Sequence, residues 1–203
     1  MSRKHEVESL FSELQLISPF GYSARLHIRF AAPLLFRSTQ SRLWTTKYDE
    51  NAFAMRDPRI FWGLSICGVT RWSEIKFPDP FHILKLAREH GMCFGAAVSC
   101  GPITSRSIIV VAREDQEFTD EEIEKLKVLT HALHKVCEPP SVLTICQIEA
   151  LVLLDEGFRH ASAAKKLEIS VSALKVRLSS ARKHLEARTT AEAIKKAREY
   201  RML

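Results

Sequence analysis

The stretch from Leu143 to Leu203 constrains this chain most, because helix start and stop signals recur there at short intervals. Thr144-x-x-Gln147 is a capping box: the hydroxyl satisfies an amide three residues on, and the glutamine reaches back. It opens a helix with Ile148, Leu151, Val152 and Leu154 on the inner face, and Gly157 stands where a left-handed residue ends it. A short helix over about His160–Leu167 turns Ala161, Ala164 and Leu167 inward. Ser170 then caps a third helix, Val171 to about Arg188, with Leu174, Leu178, Ala181 and Leu185 as its buried stripe. Thr189, with Glu192 three residues on, opens a fourth that carries Ala193, Ile194 and Ala197. Helices this short are stable only when packed on one another, which predicts a four-helix domain with helix-turn-helix grammar.

The third helix carries a second message. Ser172, Lys175, Val176, Ser179 and Arg182 share one face opposite the apolar stripe. Small and polar residues at the leading end suit base edges, and cations further along suit phosphates. Charge agrees: residues 141–203 hold 12 Lys+Arg against 7 Asp+Glu, whereas residues 1–140 hold 18 against 17. Nearly all of the net +6 sits in the final third, where it can neutralise phosphates. The plainer alternative is a helical bundle with a solvated basic face.

Residues 1–137 read differently. Val7, Leu10, Phe11 and Leu14 recur at helical spacing and predict a helix over about Arg3–Ile17. Ala24–Phe30 alternates, with Leu26, Ile28 and Phe30 on one side of a half-buried strand and Arg25, His27 and Arg29 on the other. Trp44 to Trp62 is helical in two pieces broken at Asp57-Pro58, since proline pushes its predecessor out of the α region. Leu64–Val69 and Phe94–Ser99 are short strand candidates, Pro80–His90 a helix ended by Gly91, and Ser107–Ala112 a central strand apolar on both faces. Thr119 and Glu122 cap a long helix with the stripe Ile123, Leu126, Leu129, Leu133 and Val136. The predicted class is α+β: an α/β/α sandwich around an antiparallel sheet, residues 1–137, joined by a proline linker at 138–142 to the helical domain, residues 143–203.

Several function classes drop out. No apolar run approaches the roughly 18–20 residues of a membrane span, and MSRKHEVESLFSELQ lacks the basic start and apolar run of a secretory signal. Cysteines 67, 93, 100, 137 and 146 form no C-x-x-C and have no histidine at metal spacing, so neither a metal site nor a cofactor is expected, and an odd count fits a reducing cytoplasm. An enzyme would need a nucleophile with a base. Cys67, Cys93 and Cys100 lack a flanking histidine signature, and His82 and His90 fall on a surface helix, so no catalytic residue is assigned. A phosphorylated receiver would need an acidic pair after its first strand, where Ala31-Ala32-Pro33 stands.

Two spacings carry a family resemblance. L-T-x-x-Q-x-E-x-L-x-L-L-x-x-G from Leu143, A-x-x-L-x-I-S from Ala164, A-L-x-x-R from Ala173 and K-H-L from Lys183 resemble the DNA-binding domain of LuxR-type regulators over Leu143 to about Ala197. That family tends to carry Thr-Val and a following His where Ala173, Leu174 and Arg177 stand, so an operator cannot be borrowed from a relative. Upstream, Trp44-x3-Tyr48-x8-Asp57-Pro58-x13-Trp72 is similar to the autoinducer-binding domain of quorum-sensing LuxR-type proteins, over roughly Leu43 to Val136.

The resemblance implies a transcriptional regulator that binds an N-acyl homoserine lactone through Trp44, Tyr48, Asp57 and Trp72. Residue chemistry fits those roles. An ionised aspartate only accepts and suits an amide N–H; an indole only donates and suits a lactone carbonyl. Tyrosine and tryptophan offer flat apolar walls with a polar tip. Trp44, Tyr48 and Trp72 also suit plain core positions, and Asp57 before Pro58 suits a helix cap. Asp57 is expected to stay costly until a ligand completes its hydrogen bonds, so that ligand stabilises the dimer. The implied partners are operator DNA, a small-molecule autoinducer, a second copy of the chain and RNA polymerase. The alternative is a ligand-independent or heterodimerising regulator of the same type.

Overall fold

Ser107–Ala112 lies inside the strand Arg106–Arg113, the middle strand of five in an antiparallel sheet and buried along its whole length. Its neighbours follow from the chain order. The computed structural model describes residues 3–29, 32–139 and 143–203, and contacts divide the chain into two units, residues 1–138 and 139–203. In the first unit, α1 is Arg3–Ile17, β1 Tyr22–Arg29, β2 Ala32–Ser38, α2 Arg42–Glu50 and α3 Pro58–Ser65. There follow β3 (Gly68–Arg71), α4 (Ile83–Glu89), β4 (Phe94–Cys100), β5 (Arg106–Arg113) and α5 (Asp120–Val136). The strand order is β2-β1-β5-β4-β3.

Alternation sends the side chains of β5 to two cores. Ile109 and Val111 join Phe11 and Leu14 of α1 and Leu126 and Leu133 of α5. Ile108 and Val110 face the other way, onto Trp44 and Tyr48 of α2, Ile60 and Trp62 of α3, and Ile83 of α4. Helices on both faces make the α/β/α sandwich that the sequence predicts, and the Thr119–Glu122 capping box starts α5 as expected.

Three local readings are corrected. Leu26 and Ile28 lie in opposite cores, because β1 spends three residues (25 to 28) against two of β5 (108 to 106), and His27 at φ 52° forms the bulge. An extra residue inverts the phase of everything after it; Phe30, assigned to the same face, falls outside the described residues. Leu64–Val69 is not a strand: α3 runs to Ser65, and pairing begins only at Gly68. Ala32–Ser38, to which the sequence reading assigns no strand, is the edge strand β2, a position that tolerates Pro33.

The second unit contains α6 (Ile145–Asp155), α7 (His160–Lys166), α8 (Val171–His184) and α9 (Thr190–Glu199). Thr144, Ser170 and Thr189 cap α6, α8 and α9 as read, and Gly157 takes φ +90°. The inner face of α6 is Ala150, Leu151 and Leu153, with Ile148 and Leu154 only partly covered. Packing against α7, α8 and α9 buries more than one stripe of this apolar helix. In α7 the inward residues are Ala163 and Ala164, while Ala161 is exposed. Leu174, Leu178, Ala181 and Leu185 are buried as expected, although α8 stops at His184, four residues early. Of the expected linker, residues 140–142 lie outside the described residues.

Candidate functional site

The site grows from two helix starts. Ser41 caps α2 by accepting from the Trp44 amide, and this start turns Trp44 and Tyr48, four apart, onto the sheet. Asp57 caps α3, Pro58 fills its first turn, and the Asp57 carboxylate accepts from the Arg59 amide at 2.9 Å. Trp72 arrives from the short helical turn after β3, and its indole lies over Gly95 of β4. A Cβ on Gly95 would stand 2.2 Å from that ring, so only glycine admits the close approach.

Trp44, Tyr48 and Trp72 are thus gathered in one core layer, with Asp57 buried among them. Arg59, which the sequence reading left unassigned, is the centre of the polar network. Its Nε lies 2.9 Å from Asp57 Oδ1 and its Nη2 2.7 Å from Oδ2, a forked pair at 2% exposure. Tyr48 donates its hydroxyl to Oδ2 at 2.8 Å. The guanidinium carbon sits 4.4 Å from the Trp72 ring centroid, a cation–π contact. One cation in the otherwise uncharged run Pro58-Arg59-Ile60-Phe61-Trp62 was the available signal, and it needed the Asp57 cap to be read as a pair.

The electrostatics follow from the geometry. Burial would raise the Asp57 carboxyl, but the Arg59 charge and the hydrogen bonds from Arg59 and Tyr48 hold it below the usual carboxylate range. Burial would likewise lower Arg59, and Asp57 reverses that. Burial, then the Asp57 charge, pushes the Tyr48 phenol up, so it stays a neutral donor. The expectation that Asp57 waits unpartnered for a ligand is therefore corrected: it is satisfied within the chain.

Two cavities adjoin this network. A polar one of about 20 Å³, room for about one water, is lined by Tyr48, Asp57, Arg59, Arg25, Ser38 and Gln40 among others. An apolar one of about 480 Å³ is lined by Ile28, Pro33, Ala54, Met55, Phe61, Leu64 and Ile103. Arg25 and Ile60 line both. Tyr48 and Asp57 reach the polar cavity; Trp44 and Trp72 line neither and pack in the core, Trp44 against Tyr48, Phe53 and His90.

In the second unit, Ser172, Lys175 and Val176 are exposed on α8, and Ser179 and Arg182 are half-buried on the same side. Arg177 lies 3.9 Å from Glu149 of α6. Gln147, besides closing its capping box, donates to Ser180 at 2.9 Å and so ties α6 to α8. Among the described residues no cluster of His, Cys, Asp or Glu is placed to hold a metal, and no helix is long and apolar enough to cross a membrane.

Residues 20–136 match the family described as autoinducer binding domain. RhlR of Pseudomonas aeruginosa, an HTH-type quorum-sensing regulator, is 27% identical over 111 residues, 54% of this chain and 46% of that protein. The match thus spans less than half the length of that curated relative. The crystal structure of Escherichia coli SdiA covers 97% of this chain and 91% of its own, at 19% identity and a TM-score of 0.59. SdiA in complex with octanoyl-rac-glycerol covers 98% and 89%, at 17% identity and a TM-score of 0.56. At such identities these two structures speak for the shared fold.

Proposed function

The chain belongs to the autoinducer-binding-domain family of LuxR-type quorum-sensing regulators, and from that premise we propose that it is a cytoplasmic transcription factor. Its N-terminal unit takes an acylated small molecule, and it binds operator DNA as a dimer through α8. N-acyl homoserine lactones are the first ligand class to test, through Trp44, Tyr48, Asp57 and Trp72. Ser172, Lys175, Val176, Ser179 and Arg182 meet the DNA, and RNA polymerase is a further partner. The observation that carries the reading is the pairing of a polar cradle at Asp57 with an adjoining apolar cavity of about 480 Å³, within the size range of small-molecule sites. SdiA's complex with octanoyl-rac-glycerol, a compound of acyl chain and polar head, supports the same division of labour.

Melting the protein with and without a panel of acyl compounds, beside Asp57→Asn and Trp44→Phe, tests the ligand half. Stabilisation by about 2.7 kcal/mol at a hundredfold excess over Kd is the mass-action expectation. Footprinting with gel filtration tests the other half, and a monomer protecting one half-site would sink it. A specific observation favours a second reading, a regulator that folds and binds DNA without ligand: Arg59 already completes Asp57. That reading expects operator binding by the ligand-free protein and no thermal shift with any acyl compound.

A further inference from the structure

A carboxylate offers about four lone-pair sites, and at Asp57 four hydrogens already converge: the Arg59 amide, Nε and Nη2, and the Tyr48 hydroxyl. An amide N–H brought by a ligand finds no acceptor there while Arg59 stays. The unfilled capacity of this layer is on the donor side. Among the described residues, Arg59 Nη1 and Trp72 Nε1 are buried without a hydrogen-bond partner, and the guanidinium that carries the first stacks on the ring that carries the second. Trp72 lines neither cavity, so of the two only Arg59 borders one. Buried donors left in this way favour a group that only accepts.

Charge points in the same direction. Asp57 and Arg59 cancel, and Asp49 lies exposed at the rim of the small cavity. Arg25 is half-buried where the two cavities meet, and its partners are neutral: the Ser23 hydroxyl, the Phe36 ring at 5.1 Å and the Tyr48 ring at 5.5 Å. The larger cavity beside it is apolar, and its rim residues Met55, Phe61 and Ile103 remain 74%, 46% and 63% exposed. Apolar surface of this kind around a cavity is covered favourably by an acyl chain.

Resting on the reading that the N-terminal unit takes an acyl ligand, we propose that its head group is a carboxylate with no N–H. The carboxylate is held by Arg25 at the junction, and the medium-length chain fills the cavity between Ile28, Ile60 and Leu64. Arg59 gives the preference its sign: it occupies the aspartate that would otherwise greet an amide, and leaves donors in its place.

The test uses the full chain with three ligands of one chain length: decanoate, methyl decanoate and N-decanoyl homoserine lactone. Each is kept below the concentration at which it self-associates. Calorimetry is expected to show decanoate bound roughly tenfold or more tighter than the ester, as a hydrogen bond to a charged group supplies. Arg25→Gln is expected to reduce decanoate to the level of the ester, Arg25→Lys to keep most of the difference, and Leu64→Trp, which fills the cavity, to abolish both. Ester or lactone binding as tight as decanoate overturns the carboxylate assignment and leaves the acyl-ligand reading standing. Unchanged decanoate binding in Arg25→Gln or Leu64→Trp overturns the location. Failure of all three ligands to bind overturns both.

Discussion

Asp57 and Arg59 each stand in for the other's lost water, and Tyr48 and Trp72 complete the enclosure. Such a pair is poorly described as a stabilising bond, since desolvating both ions offsets much of their attraction. Its weight shows when one partner is removed. Arg59→Leu leaves a buried carboxylate with only the Tyr48 hydroxyl and the residue-59 amide as donors, and urea unfolding should register a loss of about 3–5 kcal/mol. Asp57→Leu with Arg59→Leu should recover most of that; equal losses in single and double variants would assign the cost to packing instead. The freed aspartate of Arg59→Leu is also an open acceptor, so an acyl homoserine lactone should raise the Tm of this variant more than that of the parent. These consequences were only partly legible in the sequence. The spacing of Trp44, Tyr48, Asp57 and Trp72 is a linear pattern, and the fold does gather those residues. The capture of Asp57 by its own neighbour depends on a side-chain rotamer, which spacing does not encode.

At the scale of elements, the helices were legible because caps and periodicity are local. Thr119, Thr144, Ser170 and Thr189 stand where their helices begin. The sheet was less so, since its register depends on partners far along the chain. The bulge at His27 shows why. Leu26 and Ile28 look equivalent by alternation, yet pairing with β5 sends Ile28 to the side of Trp44 and Tyr48 and Leu26 to the α5 side. The bulge holds His27 in the left-handed region, stacked on His134 at 4.3 Å, with Nε2 donating to the His134 carbonyl and Nδ1 accepting from Ser105. Burial, opposed by the hydrogen bond to the His134 carbonyl and aided by the charges of His134 and Arg29, pulls this imidazole down from 6.5 to about 4. The folded form then holds it neutral while the unfolded chain binds a proton below about 6.5. Its stabilising contribution is therefore complete above pH 6.5 and declines as pH falls toward 4, with His134, also lowered by burial, acting in the same sense. Midpoints of urea unfolding between pH 7.5 and 4.5 should drop with pH, and His27→Asn, which tolerates the left-handed backbone, should flatten the drop. An unchanged slope in that variant would place the titrating groups elsewhere.

At the scale of the whole molecule, one chain joins a unit of nearly balanced charge to one carrying 12 cations against 7 anions. Phosphate attraction in the second is sequence-independent, and each neutralised phosphate contributes about 0.9 to the slope of log K against log salt. Lys175 and Arg182 share one side of α8 with Ser172 and Val176, and Lys175 stands between the last two in the chain, so the two kinds of contact differ by residue chemistry rather than by position along the helix. Lys175→Ala and Arg182→Ala should weaken binding to every duplex alike, and each should lower the salt slope by about 1 per bound copy. Ser172→Ala and Val176→Ala should leave the slope intact and change the ranking of operators by about 1–3 kcal/mol per affected base pair. The proposed dimer would double these effects, because each substitution would enter twice, with two recognition helices about 34 Å apart on one face of the duplex. Fluorescence titrations at several salt concentrations measure both quantities in one series. A slope change near 1 for a doubly substituted complex would mean that one copy binds, and the paired-site architecture would fall with it.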